Sequence, residues 1–299
     1  MNRFQLQEFR MGFEFSPLCE ALGAEIHGLV PETIDRADAQ RLRQALHDYA
    51  VLLVRGLDLT PAAHVELTRA FGDPEIHPIE SIRHEQQPEI IVLGAGQSGQ
   101  PDPDDPSGDD LIGALPWHSD LSYAQFPCRG ALLYPRRVVP DGGQTGFLDT
   151  ASVYDALPTA MKDRIEGLEV LHALGPIQEV INRAAEVDYA AEPEAAPQFA
   201  PVVHPLVHRL PETGRKALNL STTTAQSIIG LPEEESRTLL RELTEFATQR
   251  HFTYFHSWQL GDLMVWDNWR TMHIVTGFKR RHPRLMHRTT LRGGAALCA

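Results

Sequence analysis

His118 and Asp120 stand two positions apart in Trp117-His118-Ser119-Asp120-Leu121-Ser122-Tyr123, an imidazole and a carboxylate that together could grip a divalent metal ion. Read as a strand, this stretch points both side chains to one face. A second histidine from elsewhere would complete the two-histidine, one-carboxylate set of non-haem Fe(II) oxygenases, which leaves coordination positions open for reactants. His273 fits that part: it follows Leu263-Met264-Val265-Trp266-Asp267-Asn268, an apolar run that reads as a buried strand ending in polar residues. Fourteen histidines make roughly one His-x-Asp or His-x-Glu expected by accident, and the chain has two, so the motif needs support. The other pair, His64-Val65-Glu66, falls in a predicted helix, where positions i and i+2 lie about 200° apart and cannot share one ion. That pair reads as surface.

Support comes from Arg284 and Arg288, four positions apart on an apolar strand that includes Leu285, Met286 and Leu291. On a strand they share a face. Two guanidinium groups facing inward are costly unless they meet anions, and a dicarboxylate bound at the metal would answer that cost with bidentate pairs.

The elements that must position these groups follow from periodicity. Leu22 to Gly28 reads as a short strand and turn. Leu42, Ala45, Leu46 and Tyr49 recur at helical spacing from Asp35 to Tyr49, and Ala50 to Val54 reads as a buried strand. Thr60-Pro61 caps a second helix that Gly72 ends, and Ile90 to Leu93 reads as a strand. From Gln97 to Pro116 the chain interleaves Asp102, Asp104, Asp105, Asp109 and Asp110 with glycine, proline and serine. No regular element is expected there, and 97–116 reads as a mobile loop, either a solvated surface segment or a lid directly before the metal ligands.

Gly130 to Tyr134 and Gln144 to Leu148 read as strands joined through Pro140-Asp141-Gly142-Gly143. A helix is expected over Ala160 to Glu166 and an irregular insertion over 175–200. Val202 to His208 and Ala217 to Leu220 read as a hairpin around Pro211 to Gly214. Pro232 to Gln249 carries a helical stripe of Leu239, Leu240, Leu243, Phe246 and Ala247. Three strands are expected to close the chain, about Phe252 to Trp258, Leu263 to Asp267 and Leu285 to Leu291. Many short strands joined by turns, with a few added helices, predict a mostly β (α+β) fold built on a double-sheet jelly roll, one domain over 1–299.

Composition narrows the setting. The formal charge of −13 argues against nonspecific binding to nucleic acid or to an anionic membrane. Cys19, Cys128 and Cys298 form neither a disulfide framework nor a zinc pattern, which fits a reducing compartment. With no apolar signal core after Met1 and no membrane-length run, a soluble cytoplasmic protein is expected. The stretch from Lys279 to Arg292 is basic throughout and suggests a buried anion site or a basic edge strand.

Trp117-His118-Ser119-Asp120, Gly142-Gly143-Gln144-Thr145, Trp266-Asp267-Asn268 with His273, and Arg284-x-x-x-Arg288 together resemble the Fe(II)- and 2-oxoglutarate-dependent dioxygenases of the taurine dioxygenase (TauD)/TfdA family. The resemblance also takes in Leu22-Gly23-Ala24-Glu25-Ile26-x-Gly28, Phe71-Gly72, and His204-Pro205-Leu206-Val207 with Thr213-Gly214, and so spans nearly the whole chain. It implies a double-stranded β-helix (jelly-roll, cupin-like) core and Fe(II) held by His118, Asp120 and His273. It implies that 2-oxoglutarate chelates the metal, its distal carboxylate meeting Arg284 and Thr145 and its other end lying near Arg288. O2 would be the oxidant, and succinate and CO2 would accompany oxidation of a C–H bond. Arg288, His77, Tyr123, Ala114 and the backbone N–H of Leu121 would face the primary substrate. A homo-oligomer, dimer or tetramer, is also implied. With Asp120 present, halogenation is disfavoured.

Two departures argue against taurine. Ala114 stands four positions before the first ligand, where taurine dioxygenase has an asparagine, and small polar residues at Thr222 to Thr224 stand where that enzyme has an aromatic wall. A different small anionic substrate is expected, with hydroxylation as the outcome, or desaturation, epoxidation or rearrangement if the substrate is a biosynthetic intermediate. The readings of another class are a non-catalytic metal-containing jelly-roll binding protein and a zinc hydrolase on the same scaffold.

Overall fold

The computed structural model describes residues 12–77, 80–95, 109–173 and 200–299. Strands β1 (Glu14–Pro17) and β2 (Ala24–His27) precede helix α1 (Arg36–Tyr49), β3 (Val51–Val54) and helix α2 (Pro61–Phe71). Strands β4 (Pro74–Glu75), β5 (Ile90–Ala95), β6 (Leu111–Ile112) and β7 (Leu115–His118) lead into β8 (Gly130–Arg137) and β9 (Thr145–Asp149). Helices α3 (Thr150–Ala156) and α4 (Thr159–Ile165) come next, then β10 (Glu169–His172), β11 (Val202–Pro205), β12 (Val207–Arg209), β13 (Lys216–Leu218), β14 (Ala225–Ile228) and helix α5 (Glu233–Ala247). The last strands are β15 (Thr253–His256), β16 (Leu263–Asp267), β17 (Thr271–Val275), β18 (Phe278–Lys279) and β19 (Arg284–Leu291).

Both N-terminal helices start as their sequences dictate. Asp35 and Asp38 form a reciprocal capping box on α1, and Thr60 accepts the Ala63 N–H ahead of Pro61 on α2. A large sheet runs β1-β2-β3-β16-β8-β19-β4, with β5 also paired to β19; a smaller sheet runs β15-β9-β17-β7. Alternation along the strands sorts the side chains into layers. Leu52, Val54, Leu132, Tyr134, Leu263 and Val265 pack with Leu42, Leu46, Leu67 and Phe71 of α1 and α2. From the opposite face, Leu53, Ala131, Leu133, Met264, Trp266 and Met286 meet Phe147 of the small sheet, Phe147 and Trp266 having ring centroids 5.6 Å apart. The outer face of the small sheet, through Leu148 and Met272, packs on α3 and α5. Both faces of the large sheet are thus buried, and each fully covered aliphatic or aromatic side chain contributes about 1.5–3 kcal/mol. This is the double-sheet jelly roll with added helices that the strand pattern predicts.

Several elements differ from expectation. Within 97–116, β6 pairs with β18 and β7 begins at Leu115, so the segment before the ligands is partly strand. The reason is pairing: Asp109 meets Lys279 at 2.9 Å and Arg281 at 3.0 Å, joining the acidic run to the basic one. Residues 97–108 of that loop and the 175–200 insertion, save Ala200, lie outside the described residues. Pro140 to Gly143 carries the chain from the large sheet to the small one rather than closing a hairpin, and Gly261-Asp262 carries it back. β12 and β13 form the expected hairpin, whereas β11 pairs with β10. α3 was not expected. Five strands, not three, occupy the C-terminal stretch from Thr253 to Leu291, because β17 and β18 are separate strands and His273 lies in the middle of β17. His64 is not a surface residue: it is buried, and only Glu66 of that pair faces solvent. Its ring packs against Tyr134 and reaches the Thr289 hydroxyl at 3.3 Å.

Candidate active site

His118 closes β7 and sits directly opposite His273 in the antiparallel β7–β17 pair. Opposed residues in such a pair share a face, and the two rings lie 4.0 Å apart at their centroids. Met272 packs outward, so His273 points between the sheets, against Trp266 and Phe147. Asp120 lies beyond the end of β7, in a turn, and folds back onto the histidines. Its Oδ1 is 3.8 Å from His118 Nε2 and its Oδ2 is 3.8 Å from His273 Nε2. The three donor atoms fall within 4.8 Å of one another, and all three residues are buried.

One side chain, Asn268, bonds both backbone groups of Asp120 in the turn. The Asp120 N–H donates to Asn268 Oδ1 at 2.8 Å, and Asn268 Nδ2 donates to the carbonyls of Asp120 (2.8 Å) and Cys128 (3.2 Å). Ser119 Oγ donates to the Thr271 carbonyl at 2.8 Å, tying the same turn to β17. Leu121 follows with φ 51°, a left-handed backbone that a branched side chain adopts rarely and that marks stored strain beside the ligands. Ser122 and Thr224 share a hydrogen bond of 2.7 Å, and Thr224 meets His172 at 2.9 Å, so this part of the Thr222 to Thr224 stretch forms a buried polar support for the turn.

Protonation states suit a metal. His118 Nδ1 donates its hydrogen to the Pro116 carbonyl at 2.8 Å, which leaves the Nε2 lone pair facing Asp120. Burial lowers the His118 pKa, and burial together with His118 lowers that of His273 to about 3, so both rings are neutral near neutral pH. Burial pushes the Asp120 carboxyl up, but Arg288 and the two imidazoles outweigh it and hold it at about 2. Among the described residues Asp120 Oδ2 and His273 Nδ1 are buried with no hydrogen-bond partner. Two neutral imidazoles and an ionised carboxylate with an orphaned oxygen are the donor set a divalent ion requires.

The arginines lie on the same inner face. Met286 packs between the sheets, and Arg284 and Arg288, two positions either side on β19, point the same way. Arg288 Nη1 donates to Asp120 Oδ1 at 2.9 Å, so this guanidinium orients a ligand carboxylate. Arg284 is different. Its Nη2 is buried without a partner among the described residues, and burial alone pushes its pKa down to about 10. It therefore carries a desolvated charge that no ion pair offsets among the described residues. Its stem passes close to Gly143, where an added Cβ would lie 3.4 Å from Arg284 Cδ. Gly143, Gln144, Ser257, Trp258 and Arg284 help to line a cavity of about 200 Å³. Thr145 shares the inward face of β9 with Phe147, is fully buried, and accepts a 2.9 Å hydrogen bond from Trp258 Nε1.

The remaining expected residues are looser. His77 is half-buried after β4, and its carbonyl accepts from Arg83 Nε at 2.6 Å. Tyr123 is half-buried, its hydroxyl pushed up to about 12 by burial and then by the Asp120 charge. Ala114 is exposed, near Gly277. Sequence reasoning missed Trp258, for which no local signal exists. It also missed the bond from Arg288 to Asp120 and the turn-holding role of Asn268, whose place at the polar end of β16 was the available clue.

Residues 14–290 match the family described as "Taurine catabolism dioxygenase TauD, TfdA family". The (S)-phenoxypropionate/alpha-ketoglutarate-dioxygenase of Sphingobium herbicidovorans is 33% identical over 95% of this chain and 96% of its own. The pentalenolactone F synthase of Streptomyces arenae is 30% identical over 91% of this chain and 93% of its own. Among solved structures, that of AAD-2 in complex with Mn(II) and N-oxalylglycine superposes with a TM-score of 0.75 at 30% identity, covering 96% of this chain and 99% of that one. With the family match running across almost the whole chain, and a buried His-Asp-His cluster beside an arginine in need of an anion, the protein belongs to the TauD/TfdA family of 2-oxoglutarate-dependent dioxygenases.

Proposed function

We propose that His118, Asp120 and His273 hold Fe(II), that Arg284 and Thr145 receive the distal carboxylate of 2-oxoglutarate, and that the second substrate is a small organic anion oxidised, by hydroxylation, at a C–H bond. When bound, the iron supplies the O2 activation by which 2-oxoglutarate becomes succinate and CO2 and the C–H bond is oxidised. The protein's share is placement. Asn268 fixes the Asp120 backbone and Arg288 its carboxylate, the Pro116 carbonyl fixes the His118 tautomer, and Trp266 and Phe147 exclude water around His273. Arg284 offers a fork of donors that matches a carboxylate. The observation that carries this reading is Arg284, whose buried Nη2 has no partner among the described residues, on the same inner face as a metal-ready triad.

The substrate class rests on the S. herbicidovorans relative, whose name gives a phenoxypropionate, and on the Arg288 guanidinium beside Asp120, with His77 as a further proposed contact. Tyr123, Ala114 and the Leu121 N–H complete the proposed substrate side. The pentalenolactone F synthase relative favours a second outcome, desaturation, epoxidation or rearrangement of a biosynthetic intermediate. The relatives are named as enzymes, which leaves the non-catalytic reading without support. A cytoplasmic homo-oligomer accompanies the proposal; among the described residues no helix is long and apolar enough to cross a membrane.

The test is succinate release from 2-oxoglutarate by Fe(II)-loaded protein under O2, screened over aryloxyalkanoates, sulfonates and alkyl sulfates. Coupled turnover should vanish in His118→Ala, Asp120→Ala and His273→Ala. Full coupled turnover by Asp120→Ala would refute the triad assignment.

A further inference from the structure

We infer that Trp258 is a positioning residue for the co-substrate, one that fixes the Thr145 hydroxyl as a hydrogen-bond donor and so selects a carboxylate at the distal end of the 2-oxo acid. The inference rests on the proposed 2-oxoglutarate reading and deepens it.

An indole N–H can only donate, whereas a threonine hydroxyl offers one donor and two acceptor positions. Trp258 Nε1 lies 2.9 Å from Thr145 Oγ1, and this is the only hydrogen bond that reaches that oxygen among the described residues. Thr145 is fully buried, so water does not compete. With an acceptor position taken by the indole, the hydroxyl hydrogen is left to point at whatever occupies the space beside it. Trp258 lines the same cavity as Arg284. Thr145 follows the cavity-lining Gln144 in the chain, and on this proposal its hydroxyl hydrogen joins the guanidinium fork in presenting donors to that end of the cavity. A carboxylate accepts from both. An amide end would bring its own N–H groups against donors and leave buried hydrogens unpaired, the situation in which polar sites discriminate most sharply.

The indole is itself held. Its ring stands edge-on to His256, centroids 4.7 Å apart at 90°. His256 Nε2 meets Asp262 Oδ2 at 3.0 Å, and its Nδ1 meets the Tyr254 hydroxyl at 3.0 Å. Asp262 also accepts the Gln259 N–H at 2.9 Å and is paired with Arg55 at 3.2 Å. The donor that sets Thr145 is thus anchored to the strand-to-strand turn after β15 and cannot readily swing away. Nothing local in the sequence ties Trp258 to Thr145, 113 positions away.

The experiment measures binding rather than turnover. Calorimetry on Mn(II)-loaded protein would compare 2-oxoglutarate with its 5-amide, 2-oxoglutaramate, in wild type, Trp258→Phe, Thr145→Val and the double variant. Trp258→Phe should weaken 2-oxoglutarate by about 3- to 10-fold, the range of one lost neutral hydrogen bond, and lower discrimination against the amide by a similar factor. In the Thr145→Val background the same substitution should do almost nothing. Independently, the chain has four tryptophans, so four indole N–H resonances can be followed in the folded, metal-free protein. One should move on Thr145→Val, which needs no change at Trp258. An equal effect of Trp258→Phe with and without the Thr145 hydroxyl, or no indole resonance answering to Thr145→Val, overturns the inference. Wild-type protein that binds neither compound sinks the 2-oxoglutarate reading itself.

Discussion

Replacing Arg284 with methionine separates a co-substrate role from a folding role, because the two give opposite signs. In the protein without 2-oxoglutarate no ion pair offsets the guanidinium among the described residues, and burial moves its pKa from the ordinary guanidinium value down to about 10. At 1.36 kcal/mol per unit, that is a desolvation cost on the order of 3 kcal/mol carried by the folded state. Methionine keeps much of the apolar stem that packs beside Gly143 and removes the charge. Metal-free Arg284→Met should therefore be as stable as wild type or more stable, by up to about 2 kcal/mol after packing losses. Binding should move the other way. A desolvated, bidentate carboxylate pair loses about 3–4 kcal/mol when one partner is deleted, which is roughly 10²- to 10³-fold in Kd. Urea unfolding of the metal-free protein and calorimetric titration of 2-oxoglutarate into the Mn(II) form measure the two quantities. A variant destabilised by about 2 kcal/mol or more whose affinity for 2-oxoglutarate stays within about threefold of wild type would show that Arg284 is structural.

Asn268→Ala should weaken metal binding about 10- to 100-fold and cost about 2–4 kcal/mol, since it orphans the buried Asp120 N–H and two carbonyls; Mn(II) titration and urea unfolding measure these, and metal affinity equal to wild type would exclude the turn-holding role. Acid should unfold the protein through histidines outside the metal set. Burial holds His64 and His172 at about 3 and His208 at about 4, below the ordinary 6.5, so each is neutral when folded and takes up a proton on unfolding. The stability from keeping them neutral is complete above about pH 6.5 and is lost as pH falls toward 4, with a slope approaching about 4 kcal/mol per pH unit for the three together. Urea unfolding from pH 7 to 5 reads the total slope, to which the lowered His118, His204, His273 and His287 also contribute, and His64→Gln should reduce it by up to about 1.4 kcal/mol per pH unit; an unchanged slope would mean that His64 is not held neutral.

What was legible in the sequence was what periodicity and special residues control. Asp35, Thr60-Pro61 and Gly72 marked helix ends because capping is local chemistry, and the apolar runs at Val51 to Val54 and Leu263 to Asp267 marked central strands because both of their faces are buried. Strand pairing is not local, and there the reading slipped. The short segments β6, β17 and β18 exist because partners hold them, and the partners lie up to 168 positions away along the chain, as between Leu111 and Lys279. His64 was misplaced for a related reason. A histidine on a helix looks polar, but α2 packs across β19, where the Thr289 hydroxyl and the Tyr134 ring receive it.

The metal ligands themselves were found for a reason that the geometry revises. Had residues 118 and 120 continued one strand, they would have shared a face about 6.6–6.8 Å apart along it, too far to bring a short aspartate carboxylate beside both rings. The observed separations are 3.8 Å from Asp120 to each histidine. They arise because β7 stops at His118 and the chain turns through Ser119 and the left-handed Leu121, delivering Asp120 to the His118–His273 pair from outside the sheet. Histidines opposed across two strands define one edge of a facial set; the third member has to come from off the strand axis. A turn under strain needs an agent to hold it, and Asn268, bonding both backbone groups of Asp120 from the end of β16, is that agent. The large sheet therefore contributes more than a wall. Through Asn268 and Arg288 it holds the backbone and the side chain of the one ligand that the small sheet cannot place by itself.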